Sequence, residues 1–217
     1  MSRTFLTTLL CLLLAACNTS TSTAPTLKQL APFAAENRYI IAVMPFEFKG
    51  GVEEQEKYGA FGSRLIDKAM VELFNTKRFR VVERSRISAV LGEIKLGQAG
   101  VVASEMAAQV GKQVGAEMVF IGSITSIRQI VSKDTVGIAH MNTRGFEVGM
   151  SGRLVDIALG ELVAVGQATA GEEQTIKVAM GAQSGSIDPD ETLLDKAFEK
   201  ALTALINDLA ANISPKP

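Results

Sequence analysis

The segment RFRVVERSRISAVLGEIK, residues 78–95, indicates the fold class because a strand pattern in it passes directly into a helix pattern. RFRVVER has the β-branched and aromatic character of a short strand, and Glu83 and Arg84 connect it to the next element. Apolar residues then recur at three- and four-residue spacing, which predicts an amphipathic helix with Ser85 as its N-cap. These residues are Ile87, Val90, Leu91 and Ile94. The segment therefore predicts one β-α unit of an α/β domain.

The residues before this unit predict another strand and another helix. RYIIAVMPFEF, residues 38–48, is almost continuously apolar from Tyr39 to Met44 and is broken by Pro45, as expected for a strand that is covered on both faces. After Gly50 and Gly51, apolar residues recur at helical spacing in a helix that ends near Asn75. The buried positions of this helix would be Tyr58, Phe61, Leu65, Ala69 and Leu73.

The residues after the unit predict a third helix and three strands. The helix runs from about Ser104 to Val114 and stops at Gly115. The strands are AEMVFIGSITSI at 116–127, FEVGMSGRLVDI at 146–157 and LVAVGQATA at 162–170. Gly160 lies in the turn between the last two, where a positive φ angle is expected.

The last helix lies within SIDPDETLLDKAFEKALTALINDLAANI, residues 186–213. Asp188 is the expected cap, Pro189 fits the first helical position, and Glu191 stands three residues after the cap. Its apolar stripe is expected to face the core and consists of Leu194, Phe198, Ala201, Leu205 and Leu209. The predicted order β-α-β-α-α-β-β-β-α corresponds to an α/β fold, with helices packed on a mixed, largely antiparallel sheet.

The N-terminus has the pattern of an exported protein. Residues 1–16 combine Arg3 with an apolar run from Phe5 to Leu14, which is too short for a transmembrane helix and typical of a signal peptide. The residues at 14–17, Leu-Ala-Ala-Cys, resemble a bacterial lipobox. That resemblance implies cleavage between Ala16 and Cys17 and acylation of Cys17, which would give a stable membrane anchor. Asn18 follows the cysteine, so the implied destination is the outer membrane, with the protein facing the periplasm.

The chain between the anchor and the domain is predicted to be a flexible tether. Residues 17–37 are rich in Ser, Thr, Ala and Pro and have little hydrophobic periodicity. Fully extended, such a segment spans on the order of 65 Å. Leu27, Leu30 and Phe33 are candidates for docking on a neighbour, and the compact domain is predicted to cover residues 38–213.

The composition argues against several kinds of chemistry. Cys11 would leave with the signal and Cys17 would carry lipid, so no thiol is left for a disulfide or a metal. His140 is the single histidine and is expected to be a solvated side chain, and the net charge is -1. We therefore expect no metal, no cofactor, no nucleic-acid partner and no enzymatic activity.

Two kinds of short motif need an explanation other than catalysis. GQAG at 97–100 and GKQVGAE at 111–117 lack the spacing of a phosphate loop and fit helix ends and connectors. The acidic pairs Glu53–Glu54 and Glu172–Glu173 are expected in loops, where neighbouring carboxylates are solvated rather than paired as an acid and a base.

Five segments together resemble the CsgG family of curli secretion lipoproteins and its holdfast-anchoring relatives. After the lipobox, IAVMPF, RFRVVERSRISAVLGEIK, GAEMVFIGSI and RLVDIALGELV stand in the order of that family. The resemblance covers roughly residues 40–213. It implies a fold related to the anticodon-binding domain of tRNA synthetases, whose subunits assemble as a ring at the outer membrane. The fold analogy brings no RNA binding with it.

The resemblance raises the question of whether the chain has the two membrane hairpins of a CsgG pore. The first would be QIVSKDTVGIAHMNTRGFEVGM, residues 129–150, with a turn near Asn142 to Gly145. One arm alternates correctly through Phe146 and Val148, but the other contains Lys133 and Asp134, one on each face. The second site, residues 171–186, is too short for two membrane strands. We therefore expect residues 129–150 to extend a sheet rather than cross the bilayer.

Three functions follow from these patterns. The favoured one is a homo-oligomeric outer-membrane lipoprotein of a curli-type secretion or assembly system for an extracellular fibre or polymer. It would be a periplasmic ring without a full membrane barrel, similar to PelC, with secreted cargo and accessory secretion proteins as partners. The alternatives are a monomeric lipoprotein that resembles LpoB and regulates cell-wall synthesis, and a true CsgG-type β-barrel pore.

Overall fold

The computed structural model describes residues 30–50, 52–93, 104–179, 182–185 and 188–217. The strands are β1 (Tyr39–Val43), β2 (Glu47–Phe48), β3 (Phe79–Val81), β4 (Met118–Val136), β5 (Ala139–Asp156), β6 (Leu162–Ala179) and β7 (Ala182–Ser184). The helices are α1 (Val52–Asn75), α2 (Arg84–Glu93), α3 (Ser104–Gln113) and α4 (Asp190–Ala211), with a 3-10 turn at Ala35–Asn37. Signal residues 1–16, Cys17, Leu27, Ile94 and GQAG lie outside the described residues.

The seven strands form one mixed sheet, which confirms the predicted fold class. The order is β3-β1-β4-β5-β6-β7, and β2 pairs separately with β4. β1 pairs in parallel with β3 and β4, whereas the much longer β4, β5 and β6 pair antiparallel. The sequence prediction omitted two short strands, β2 and β7.

Helices cover both faces of the parallel half of the sheet. Ile41 and Val43 of β1 join a core with α1 and α4, while Ala42 and Met44 join a second core with α2 and α3. This arrangement explains why β1 is continuously apolar rather than alternating. The predicted stripes of α1 and α4 are all buried in the first core, so the α4 stripe belongs to the core of this chain.

Several predicted boundaries are wrong by a residue or two. Ser85 lies inside α2, because the first helical bond runs from Arg86 N–H to the Glu83 carbonyl. Pro189 is the residue before α4, and its carbonyl accepts the N–H groups of Thr192 and Leu193. Asp188 therefore lies outside the helix rather than capping it.

Three strand predictions were too short, and the predicted hairpin turn was wrong. β4 and β5 meet at Gly137 and residue 138, where Gly137 has a φ of 63°, rather than at Asn142 to Gly145. Gly145 is needed for another reason, since a Cβ there would overlap the Glu172 carbonyl of β6. Neither acidic pair is in a loop, because Glu53 and Glu54 belong to helix α1 and Glu172 and Glu173 to strand β6. Gly160 has the expected positive φ, at 70°.

Candidate functional site

The most distinctive feature of the fold is a three-stranded ribbon formed by the far ends of β4, β5 and β6. This ribbon consists of residues 128–136, 139–147 and 171–179. Its strands stay paired to the tip, where Val136 pairs with Ala139 and Ala139 with Ala179. The ribbon continues about five residues past the start of α4, or roughly 17 Å at 3.3 Å per residue.

The ribbon is fixed to the domain where α4 begins. Arg144 donates to the Asp188 carbonyl at 2.6 Å and forms an ion pair with Asp190 at 3.3 Å. Gln174 donates to the same carbonyl at 2.9 Å and accepts the Asp188 N–H at 2.8 Å. Side chains on two ribbon strands therefore hold the segment that starts the last helix.

Phe146 and Val148 lie at the root of the ribbon and face the core. Their side chains are only 5% and 0% exposed, in the same core as α4. Their alternation alone was compatible with either a membrane arm or a soluble sheet. The structure agrees with the expected sheet extension, because these alternating apolar residues pack under a helix of the same chain.

Beyond α4, both faces of the ribbon are polar. One face carries the cross-strand rows Lys133–Asn142–Ile176 and Thr135–His140–Val178, and the other carries Asp134–Met141–Lys177. Lys133 and Asp134 are exposed, and so is His140, whose ring lies 3.1 Å from the Thr135 hydroxyl. Neither face therefore presents a continuous apolar surface to a membrane.

A groove between α1 and α4 has a volume of about 790 Å³. Several of the charged residues that line it form ion pairs. Lys68 binds Glu199, Lys200 binds Glu172, and Asp67 binds Arg84 at 2.6 Å.

Glu72 is the carboxylate most affected by burial in this groove. Burial raises the pKa of Glu72 above its usual value, and the neighbouring Glu199 carboxylate raises it further. A hydrogen bond from Thr203 and the charge of Lys68 oppose this shift. Among the described residues, no group of three His, Cys, Asp or Glu side chains forms a metal site.

Arg78 connects the N-terminal segment to the end of α4. Its guanidinium donates to the carbonyls of Ala31 at 3.2 Å, Ala210 at 2.7 Å and Ile213 at 3.1 Å. The same group lies 4.5 Å from the centre of the Phe33 ring. Burial lowers the pKa of Arg78 from its usual value. Phe33 is therefore packed on its own chain, and the expectation that it docks on a neighbour was wrong.

The C-terminal residues are also held against the sheet. Lys216 binds the Glu117 carboxylate, which also accepts the Ile40 N–H at 3.0 Å. Burial opposes ionisation of Glu117, but these two hydrogen bonds and the charges of Lys216 and Arg80 lower its pKa overall. A second cavity of about 600 Å³ lies beside this pair.

Two surface features could not be found from sequence patterns alone. Most large apolar side chains that are exposed in the described part lie in two patches, on α1 and at the start of β6.

None of the described helices is long and apolar enough to cross a membrane.

Several solved structures are similar to this chain at low sequence identity. The PelC dodecamer from Paraburkholderia phytofirmans is 13% identical, with a TM-score of 0.39, 87% of this chain covered and 92% of that one. The lipoprotein GNA1162 from Neisseria meningitidis is 16% identical, with a TM-score of 0.39 and coverage of 79% and 98%. The LpoB C-terminal domain from Salmonella enterica is 16% identical, with a TM-score of 0.37 and coverage of 60% and 81%.

Comparison with protein families gives the more specific result. No curated protein sequence matches the chain. The model of the family described as "Curli production assembly/transport component CsgG" matches residues 21–216, which is nearly the whole chain after the predicted signal and anchor. The chain therefore belongs to the CsgG family.

Proposed function

We propose that this chain is an acylated outer-membrane lipoprotein that forms a homo-oligomeric periplasmic ring and serves the export or assembly of an extracellular fibre or polymer. The observation that carries the proposal is the family match over residues 21–216, which takes in the whole described domain. A ring with this role would position the exported fibre or polymer and let it pass, which requires neither a catalytic site nor a cofactor.

The sequence and the contacts of Arg78 support anchoring through Cys17. The residues up to Cys17 have the lipobox pattern, and multiple acyl chains give a stable anchor. From Leu30 onward the chain packs against the domain, where Arg78 binds the Ala31 carbonyl and the end of α4. The tether would therefore leave the domain from one fixed point, which would give every subunit of a ring the same position relative to the membrane.

The polarity of the ribbon supports a periplasmic ring over a membrane pore. Lys133 lies on one face of the ribbon, and Asp134 and Lys177 lie on the other. A lysine that faces lipid near the midplane costs roughly 2–4 kcal/mol. The strand β7, with three residues, is also too short to complete a second membrane hairpin, which needs about 9 to 11 residues in each arm.

Replacing the anchor cysteine tests the proposal, and the chain contains a matched control. Cys17→Ser should abolish acylation, release the protein from the outer membrane and stop export of the extracellular polymer. Cys11→Ser changes the same residue type within the predicted signal and should leave all three unchanged. Fractionation and metabolic labelling with an alkyne fatty acid measure the first two effects.

Two results would contradict the proposal. Membrane attachment that survives Cys17→Ser would rule out the proposed anchor. A wild-type chain that stays monomeric in detergent at every concentration would rule out the ring and favour a regulator of cell-wall synthesis.

A further inference from the structure

Two apolar patches on the surface have no partner within the described part of the chain. Eight large apolar side chains are exposed there, and six of them belong to these patches. The α1 patch consists of Val71 and Phe74, which are 57% and 53% exposed. The β6 patch consists of Leu159, Leu162, Val163 and Val165, with Leu162 and Val165 61% and 58% exposed. Such concentrated exposure marks an interaction surface.

The two patches lie on opposite faces and at opposite edges of the sheet. Val165 pairs with Arg153, which pairs with Ile121, a member of the α2–α3 core, so Val165 faces away from α4, as does Leu162, which pairs with Val155 of the same core. The helix α1 packs on the other face, against β1 and the edge strand β3. The two patches therefore cannot meet within one chain.

The β6 patch borders an open strand edge. The strand β7 pairs only with Lys177, Val178 and Ala179, so within the described part residues 162–176 have no strand beyond them. The first nine of these residues, LVAVGQATA, contain no charge and no proline. Proteins usually protect long edge strands with charges, prolines or a covering element. Along residues 162–170, this edge has neither charged residues nor prolines.

Each patch has one exposed charged residue at its border and these two are opposite in sign, while the half-buried Arg153 also lies beside Val165. The Lys77 ammonium lies 4.2 Å from the centre of the Phe74 ring, at the border of the α1 patch. Glu161 is exposed directly before Leu162, at the border of the β6 patch. Apolar centres with complementary charged borders are typical of specific interfaces.

We infer that the α1 patch of one copy packs on the β6 patch of the next copy. This contact is head-to-tail because each copy contributes a different surface, and repeated head-to-tail contacts generate a ring when the rotation closes. The inference rests on the proposed ring and assigns its subunit interface. It also gives the open edge of β6 a covering partner.

A mixing experiment tests this interface with the full acylated chain in detergent. Phe74→Asp removes the α1 patch and leaves the β6 patch intact, and Val165→Asp does the reverse. Each variant alone should have the mass of one chain by native mass spectrometry, at concentrations where the wild type is fully assembled. An equimolar mixture should form heterodimers and nothing larger, because each pair keeps one intact contact. Val131→Asp changes an equally exposed apolar residue outside both patches and should keep the wild-type mass.

The possible outcomes separate this inference from the proposed function. If the wild type assembles but Phe74→Asp and Val165→Asp keep its mass, or Val131→Asp alone disrupts it, the interface is wrong and the ring stands. If the mixture stays monomeric, the head-to-tail pairing is wrong. A monomeric wild type overturns both proposals. Circular dichroism melting checks that each variant is folded.

Discussion

The Arg78 contacts give a sharp prediction about stability. Arg78→Ala removes a buried guanidinium that donates to three carbonyl oxygens and stacks over Phe33. Each hydrogen bond from a charged donor contributes about 1.5 kcal/mol at the lower end of the measured range. If only two of the three bonds are lost without replacement by water, the free energy of unfolding should fall by about 3 kcal/mol.

Urea unfolding measures this loss directly. With a slope of about 2 kcal/mol/M, a loss of about 3 kcal/mol lowers the midpoint by about 1.5 M. Arg78→Lys should fall between Arg78→Ala and the wild type, because an ammonium group can reach fewer carbonyls than the planar guanidinium. Arg80→Ala removes an exposed arginine two residues away and should change the free energy by less than about 0.5 kcal/mol.

A small effect would refute the role of Arg78. If Arg78→Ala changed the free energy of unfolding by less than about 1 kcal/mol, the three carbonyls would be satisfied equally well by water. The N-terminal segment would then have no fixed exit point, and the argument for a defined tether position would fail.

Three further predictions concern the groove, the C-terminus and the ribbon. Because burial raises the pKa of Glu72, the charged form of Glu72 destabilises the fold as pH rises above 4.5. In melting scans, Glu72→Gln should therefore be more stable than the wild type at pH 7. This advantage should disappear below pH 4.5. The lowered pKa of Glu117 means that its pairing with Lys216 stabilises the fold above 4.5 and is lost as pH falls. Lys216→Ala should therefore cost up to about 1 kcal/mol at pH 7 and nothing in acid. In urea unfolding, Gly145→Ala should lower the free energy of unfolding by about 1–3 kcal/mol, because the added methyl group pushes β5 away from β6. Gly92→Ala is the control and should not destabilise the fold, because its added methyl group meets no atom.

The sequence was sufficient to predict the elements that bury a regular apolar pattern. The stripes of α1 and α4 recur at helical spacing, and the continuous run in β1 requires cover on both faces. These patterns depend only on spacing within one element. They could therefore be recognised without knowing how the elements pack.

The predicted position of the hairpin turn was wrong because a glycine can serve either of two purposes. Gly145 was interpreted as part of a turn, but it lets β5 approach the Glu172 carbonyl of β6, and the turn belongs to Gly137. The pattern around Phe146 was similarly ambiguous, since alternation predicts an apolar face but not whether lipid or a helix covers it. Only the position of α4 decides that question.

The surface patches depend on the same missing information. Val163 and Val165 have the sequence pattern of a buried strand, yet the described residues of the α2–α3 core include none from β6. The packing of the whole fold decides which faces of a strand are left uncovered by helices. For that reason the proposed interface could be identified only from the structure.

The mass and shape of the native assembly test the central claim most directly. The acylated chain, extracted from outer membranes in mild detergent, can be examined by native mass spectrometry and electron microscopy at several concentrations. We expect closed rings with one fixed number of subunits that does not change on dilution. A single processed chain at every concentration, or open polymers of variable length, would contradict this expectation.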